Sequence, residues 1–421
     1  MRMERGLIAI LASILGYGVS LAVINLASGL RVLDITGSKL LLSLTVLLYN
    51  IFYAIMSSIW THVFSGRLSR ATIVALSFLL VGSSAILMGL VDNATIIVLL
   101  NALLGMFMAV LAPILTTVLT DYIGKDSIAI TYMNITSSIG MLLGYILAIY
   151  LTSLLTTKYL LLIVGFTMTS LVGLTPLFPS QFKVIEGRKV SLISLVPHIT
   201  GRLRAIPSVI SHPNLVSNIR GLIIDLSKTL HYKFQRRMPL LIVGTSTLFT
   251  AIALFFTPMP AYLRDFGLSD SEIYALSLTS IVASTIAYRL IKNLIEDMDK
   301  SWRILLTSVG IRTLLFLTPT MILYLDYARV ALLILYTLIG LSWAGISTSL
   351  MRLTLAYSEN ERRGERLGHL NTSISIGLII GSIISGPLAE SYGVLLTSIT
   401  SSALVALSLY IYYKAMKALV T

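Results

Sequence analysis

The groups able to do chemistry on a bound molecule are few and badly spaced for it. Of 18 acidic residues, the one dense run is Glu296-Asp297-Met298-Asp299, followed by Lys300 and Arg303. Paired carboxylates can hold a metal or act as acid and base, but here they are interleaved with basic residues. The five His are scattered, with no two at i, i+4 beside an acid, which argues against zinc. There is no Cys, which removes disulfides, thiolate metal sites and a cysteine nucleophile. No enzyme and no cofactor are therefore expected. A polytopic membrane enzyme is the weaker alternative, since it would need carboxylates or metal ligands clustered at one membrane face.

The elements around these residues have another character. The chain is 56% hydrophobic and only 12% charged, with a mean hydropathy of +0.90. An ordinary globular chain is roughly 25% charged. A bilayer crossing takes about 20 mostly apolar residues. Twelve stretches qualify: roughly 7–30, 40–61, 72–91, 95–120, 128–151, 159–178, 239–262, 272–291, 304–325, 329–351, 369–388 and 393–413. Helices are expected throughout, because each satisfies its own backbone in lipid. The basic head and apolar run at the start have the form of a signal peptide but continue too far, and are read as a retained first span. Most connectors are short. The exception, 180–238, carries ten Lys or Arg against two acids. It divides the chain into 1–179, a linker over 180–238, and 239–421, with six spans on each side.

With the N-terminus inside, the inside segments collect 25 Lys or Arg and the outside segments five, with Arg312 left inside span 9. That bias predicts both termini and the linker in the cytoplasm and the protein in the cell membrane. It also accounts for the net charge of +13 without nucleic acid. Within the linker, 214–237 has one apolar helical face and reads as an amphipathic helix on the inner leaflet or as a solvated linker.

One phrase occurs twice. Residues 134–147 read NITSSIGMLLGYIL and residues 371–384 read NTSISIGLIIGSII, with six of fourteen positions identical. Further matches at displacements of 233 to 237 indicate a duplicated six-span unit: Leu103/Gly105 with Leu338/Gly340, Leu30-Arg31 with Leu263-Arg264, and Arg67 with Arg303. An even number of spans gives the copies the same orientation, as parallel repeats. Gly140 and Gly144 form one stripe of small residues, and Gly377 and Gly381 another, which lets helix backbones approach closely.

In this plan the chain resembles the major facilitator superfamily of secondary transporters. The loop after span 2, IWTHVFSGRLSR, keeps Gly66, Arg67 and Arg70 of that family's basic signature. The second copy keeps Asp299, Lys300 and Arg303. The resemblance implies an all-α polytopic membrane protein, with twelve transmembrane helices arranged as two parallel six-helix repeats. It implies that spans 5 and 11 pack across the interface between the halves, where their glycines would permit rocking. It implies a cytoplasmic gate at Arg67, Arg70, Asp121, Asp299, Lys300 and Arg303, with Asp121 pairing with Arg67 or Arg70. And it implies a cavity lined by spans 1, 4, 7 and 10, with span 2 contributing. The polar or aromatic mid-span residues there are Tyr17, Asn50, Met106, Thr250, Ser342 and Trp343. For the hydroxyls, a bond to their own helix is the competing role. Arg312 is expected to snorkel, or else to line a path for an anion. Asp34 and Asp265 are expected to do nothing beyond the outer loops.

No acid falls in the middle third of a span, so the polar but uncharged residues favour a neutral or amphipathic solute. The expectation is efflux of such a compound by a monomer embedded in the lipid bilayer, with a proton as the candidate coupling ion. Nutrient uptake is the alternative, and a non-transporting sensor of the same fold a third reading.

Overall fold

The computed structural model describes residues 2–63, 69–123, 126–178, 237–291, 297–322, 326–357 and 363–417. The loop carrying Arg67, and the linker with its expected amphipathic helix up to residue 236, lie outside the described residues. All regular structure among them is helical. Spans 1 to 6 are Arg2–Thr36, Lys39–Val63, Arg70–Leu90, Ala94–Ile123, Asp126–Leu154 and Thr157–Ser170, the last continued by a 3-10 turn at Leu171–Leu177. Span 7 is Arg237–Phe256 plus Met259–Asp265, span 8 Asp270–Ile291, span 9 Met298–Leu317 plus Pro319–Ile322, and span 10 Ala328–Ala356.

The last helical run, Arg363–Lys417, has 55 residues. At 1.5 Å per residue it would be about 80 Å long, well over twice the roughly 30 Å core of a bilayer. It turns back at Gly393, whose φ of +69° is a conformation glycine adopts freely. Spans 11 and 12 are thus 363–392 and 394–417, and the total is twelve. The breaks in spans 7 and 9 fall where Pro258 follows Thr257 and Pro319 follows Thr318. Proline disfavours helical backbone in the residue before it and cannot donate to the ladder.

Glycine contacts show the duplication in three dimensions. A Cβ on Gly140 of span 5 would collide with the Leu15 carbonyl oxygen of span 1, and one on Gly377 of span 11 with the Ser246 carbonyl oxygen of span 7. A Cβ on Gly144 would press on Val19, and one on Gly381 on Thr250. In span 4, Gly105 lies against the Tyr49 carbonyl of span 2; in span 10, Gly340 lies against that of Ser280 in span 8. The three partner pairs, Leu15/Ser246, Val19/Thr250 and Tyr49/Ser280, are all offset by 231. Each half therefore packs 5 on 1 and 4 on 2 by the same backbone-to-backbone contact.

This corrects the expected place of the glycines. Gly140, Gly144, Gly377 and Gly381 do not pack across the halves. Each pair seats its span on the first span of its own half. A small-residue stripe marks a close approach without saying which neighbour makes it. Across the halves, span 5 meets span 8 and span 2 meets span 11. At the second crossing Gly386 sits 2.9 Å from Ser43 measured from an added Cβ, and the Ser385 hydroxyl donates to the Ser43 hydroxyl at 3.2 Å.

The outward faces are apolar. Leu76, Leu79 and Leu87 of span 3, Ile135, Ile139 and Ile146 of span 5, and Ile376, Ile380 and Ile383 of span 11 are exposed. In water so much exposed apolar surface would drive aggregation; facing lipid it is at home.

Candidate functional site

Where the halves touch, the contacts sort sharply by depth. The end at which span 1 begins and span 12 finishes is the basic end, and the other the far end. At the far end Arg264, closing span 7, reaches Asp34 of span 1 at 2.7 Å and Asp270 of span 8 at 2.6 Å. It also donates to the Leu30 carbonyl at 3.2 Å. Asp270 in turn accepts from the Thr157 hydroxyl of span 6 at 2.7 Å. Lys39, opening span 2, pairs with Asp265 at 2.7 Å. The backbone N–H groups of Lys39 and Leu40 donate to Glu390 of span 11 at 3.0 and 3.3 Å. A carboxylate there satisfies orphan donors of the helix start and meets the positive end of its dipole. These contacts link spans 1, 2 and 6 to spans 7, 8 and 11, so the far end is latched shut.

This overturns the reading of Asp34 and Asp265 as inert. Both hold basic residues of the opposite half. Charged residues in turns carry no spacing signal, and only the packing of spans some 230 residues apart brings them together.

The basic end is different. Arg70, opening span 3, pairs with Asp121 near the end of span 4, as expected. Both belong to the first half, so the pair braces one half and clamps nothing across. Asp299, Lys300 and Arg303 are exposed and form no ion pair with a described residue. The acidic run has a local use: Asp297 caps span 9 through the Asp299 N–H at 3.0 Å. Trp302, which stands where the family signature has glycine, is buried and donates its indole N–H to the Tyr357 hydroxyl of span 10 at 3.0 Å. The Arg70–Asp121 side chains are 22% and 35% exposed. Such half-wet pairs contribute about 0–1 kcal/mol. Asp121→Asn is expected to leave the thermal midpoint of purified protein within a degree or two of wild type.

The expected solute contacts divide in two. Thr250 and Ser342 are buried and spend their hydroxyls on their own helices, donating to the Ser246 and Ile339 carbonyls at 2.9 and 2.8 Å. Thr250 also backs onto Gly381, so it serves helix packing. Met106, Asn50 and Trp343 are half-buried and keep some surface, whereas Tyr17 is buried. Asn50 is half-buried and its amide bonds no described residue. Tyr17 sits beside Tyr49 and Tyr53 of span 2, whose rings stack at 5.9 Å. Trp343 is half-buried with its edge toward Phe249 of span 7 at 5.8 Å.

Several residues escaped the sequence reading. Tyr145 of span 5 and Tyr274 of span 8 meet across the halves at 6.3 Å, and the buried Tyr274 hydroxyl has no partner. The Asn25 side-chain oxygen of span 1 is likewise buried, with the Tyr49 hydroxyl beside it. The available signal was position: tyrosine favours the membrane interface, so Tyr53 and Tyr145 well inside spans stand out.

Arg312 does not snorkel. It lies 14 residues into span 9, about 21 Å from its start. It is 1% exposed and donates to the Ile339 carbonyl of span 10 at 2.8 Å.

The description of the major facilitator superfamily matches residues 7–318 and 241–418, essentially the whole chain. The chain belongs to that superfamily. Among solved structures, a point mutant of the nucleoside transporter NupG superposes with a TM-score of 0.75 at 12% identity, covering 99% of this chain and 100% of that one. A bacterial homolog of the human lysosomal transporter Spinster, inward-facing and unoccupied, gives 0.70 at 13% identity, with 99% and 97% covered. At such identities the likeness speaks for the fold alone. No match was found among curated proteins. This superfamily member is thus a multi-pass membrane protein on the plan of the secondary transporters.

Proposed function

We propose that this superfamily member is a secondary active transporter that exports a small neutral or amphipathic compound by alternating access. Its moving bodies would be residues 1–179 and 239–421, joined by the basic linker 180–238. The observation that carries this reading is the latch at the far end, where Arg264 with Asp34, Lys39 with Asp265 and Glu390 with the start of span 2 join the halves. A far end held shut by ion pairs is one of the two states such a cycle needs. The excess of basic residues supports a cytoplasmic basic end, and with that orientation the transporter would load from inside. A monomer in the cell membrane is proposed on the same footing. Coupling to a proton would fall to the far-end carboxylates, because no acid lies mid-span.

The test uses the absence of native cysteine. Ser43→Cys with Ser385→Cys replaces two hydroxyls 3.2 Å apart on spans 2 and 11, a separation a disulfide can bridge. Vesicles holding the double variant would be screened with sugars, nucleosides, amino acids and lipophilic compounds. Oxidation is expected to abolish transport of whichever compound moves, and reductant to restore it. Equal transport by the oxidised protein would defeat the alternating-access reading. A protein that moves nothing in any form would favour the sensor. Uptake is the second reading, and the superposition on a nucleoside transporter is the reason to include nucleosides in both directions.

A further inference from the structure

Arg312 is a cation buried in the middle of the second half with too little to hold it. Its guanidinium has five N–H donors. One goes to the Ile339 carbonyl, an acceptor already shared with the Ser342 hydroxyl at 2.8 Å. Its Nε is buried with no partner, and no described carboxylate pairs with it. Two aromatic rings partly compensate: Trp343 at 5.4 Å and Phe316 at 5.8 Å from the guanidinium carbon. A buried charge is ordinarily paired, and truncating it to an apolar side chain of like volume is often harmless or stabilising. The site therefore carries a cost that its visible contacts do not repay.

Its polar neighbours are neutral. The Tyr288 hydroxyl of span 8 bonds the Ser347 hydroxyl at 2.9 Å, and the Trp343 indole N–H approaches the same tyrosine. Trp343 is only half-buried, and its ring lies against the guanidinium. Phe249 stands at its edge. One positive charge, neutral hydroxyl and indole donors, and an aromatic wall together match one kind of ligand.

We propose that Arg312 is the docking point for a single negative charge, a carboxylate or equivalent oxyanion, carried on an apolar body that packs against Trp343 and Phe249. One guanidinium among neutral groups balances a monoanion and leaves a dianion uncompensated. The inference rests on the transporter reading and narrows its amphipathic solute to an amphipathic acid. Binding would supply the counter-charge that the empty site lacks.

The experiment compares matched pairs on purified, detergent-solubilised full-length protein: benzoate, octanoate and indole-3-acetate, each against its primary amide, with sodium phosphate and sodium chloride alone as further probes. Thermal shift against concentration reads apparent affinity. At least one acid is expected to bind about 10- to 100-fold more tightly than its amide, the range for a charge-assisted hydrogen bond. Arg312→Met should abolish that preference while leaving the ligand-free midpoint equal or higher, a pairing that a merely structural arginine would not give. Arg312→Lys, which keeps the charge, should retain part of the preference if the methionine variant fails to fold. An acid no better than its amide overturns the inference while leaving transport of neutral compounds standing. So does a preference that survives Arg312→Met, or a shift by phosphate or chloride alone as large as that by the acids. Acids and amides that all fail to bind would count against both this inference and the amphipathic-solute reading.

Discussion

Replacing Arg264 by alanine is expected to open the far end. The side chain holds Asp34 of span 1, Asp270 of span 8 and the Leu30 carbonyl at once. Its loss leaves Asp34 and Asp270 without their shared cation, and Asp270 keeps only Thr157. Truncating one partner of a buried charge pair costs about 2–5 kcal/mol. Arg264 is 22% exposed and Asp34 33%, so water and salt reduce that. A bias of about 1–3 kcal/mol remains, or roughly 5- to 150-fold in the ratio of closed to open far ends. Labelling of a cysteine at position 43 by a membrane-impermeant maleimide reads the change, since the parent chain has no cysteine and Ser43 is buried at 2%. Arg264→Ala should speed that labelling several-fold, and Arg264→Lys should recover part of the protection. Raising ionic strength should weaken wild-type protection in the same direction. Unchanged labelling in the alanine variant would mean that apolar packing, and not the ion network, keeps the far end shut.

A bulky residue at Gly140 is expected to have the largest effect on stability. Gly140 and Gly18 face each other across spans 5 and 1, and an added Cβ at 140 meets the Leu15 backbone, not a side chain that could turn away. Overpacking in a tight core costs about 1–3 kcal/mol when side chains can adjust, occasionally more. Here two helix axes must separate, so Gly140→Leu should cost about 3 kcal/mol or more by that measure. Gly377→Leu should match it, because Gly377 meets Ser246 in the equivalent way. Gly310→Ala is the control. Its nearest neighbour would be a Leu409 methyl at 3.8 Å, an ordinary contact, and alanine is the better helix former. Thermal unfolding in detergent should show both leucine variants melting several degrees lower and the control at or above wild type. Equal midpoints would show that spans 1 and 5 are not in backbone contact.

The number of spans and their duplication could be read from residues alone, because lipid demands long apolar helices and a repeated phrase at constant offset survives in the chain. The pairing of helices could not. Gly140 and Gly377 announced close approach, yet the neighbour in each case is the first span of the same half. Superfamily resemblance supplied the interface and misplaced these glycines in it; the stripes that cross the halves are at Gly386 and Ser43 instead. The latch was equally hidden. Lys39, Arg264 and Asp265 read as ordinary loop charges, and their meaning depends on which turns share an end. Polar mid-span residues were found by type but not by use: Thr250 and Ser342 bond their own helices, whereas Asn50 and Trp343 keep surface to offer. Arg312 was correctly singled out as the one formal charge inside a span, but a long side chain does not tell from sequence whether it reaches the membrane surface.

Alternating access between two six-span halves is the central claim, and the distance between the halves at each end tests it most directly. Two pairs of spin labels suffice, introduced as cysteines into a chain that has none. Leu155 and Tyr327 are exposed at the far end on either side of the interface; Tyr132 and Met351 are exposed toward the basic end of spans 5 and 10. Distances would be measured by pulsed electron–electron double resonance, in lipid nanodiscs, with and without Arg264→Ala. The account predicts opposite changes: breaking the latch lengthens Leu155–Tyr327 and shortens Tyr132–Met351. Two distances that stay fixed, or lengthen together, would contradict it.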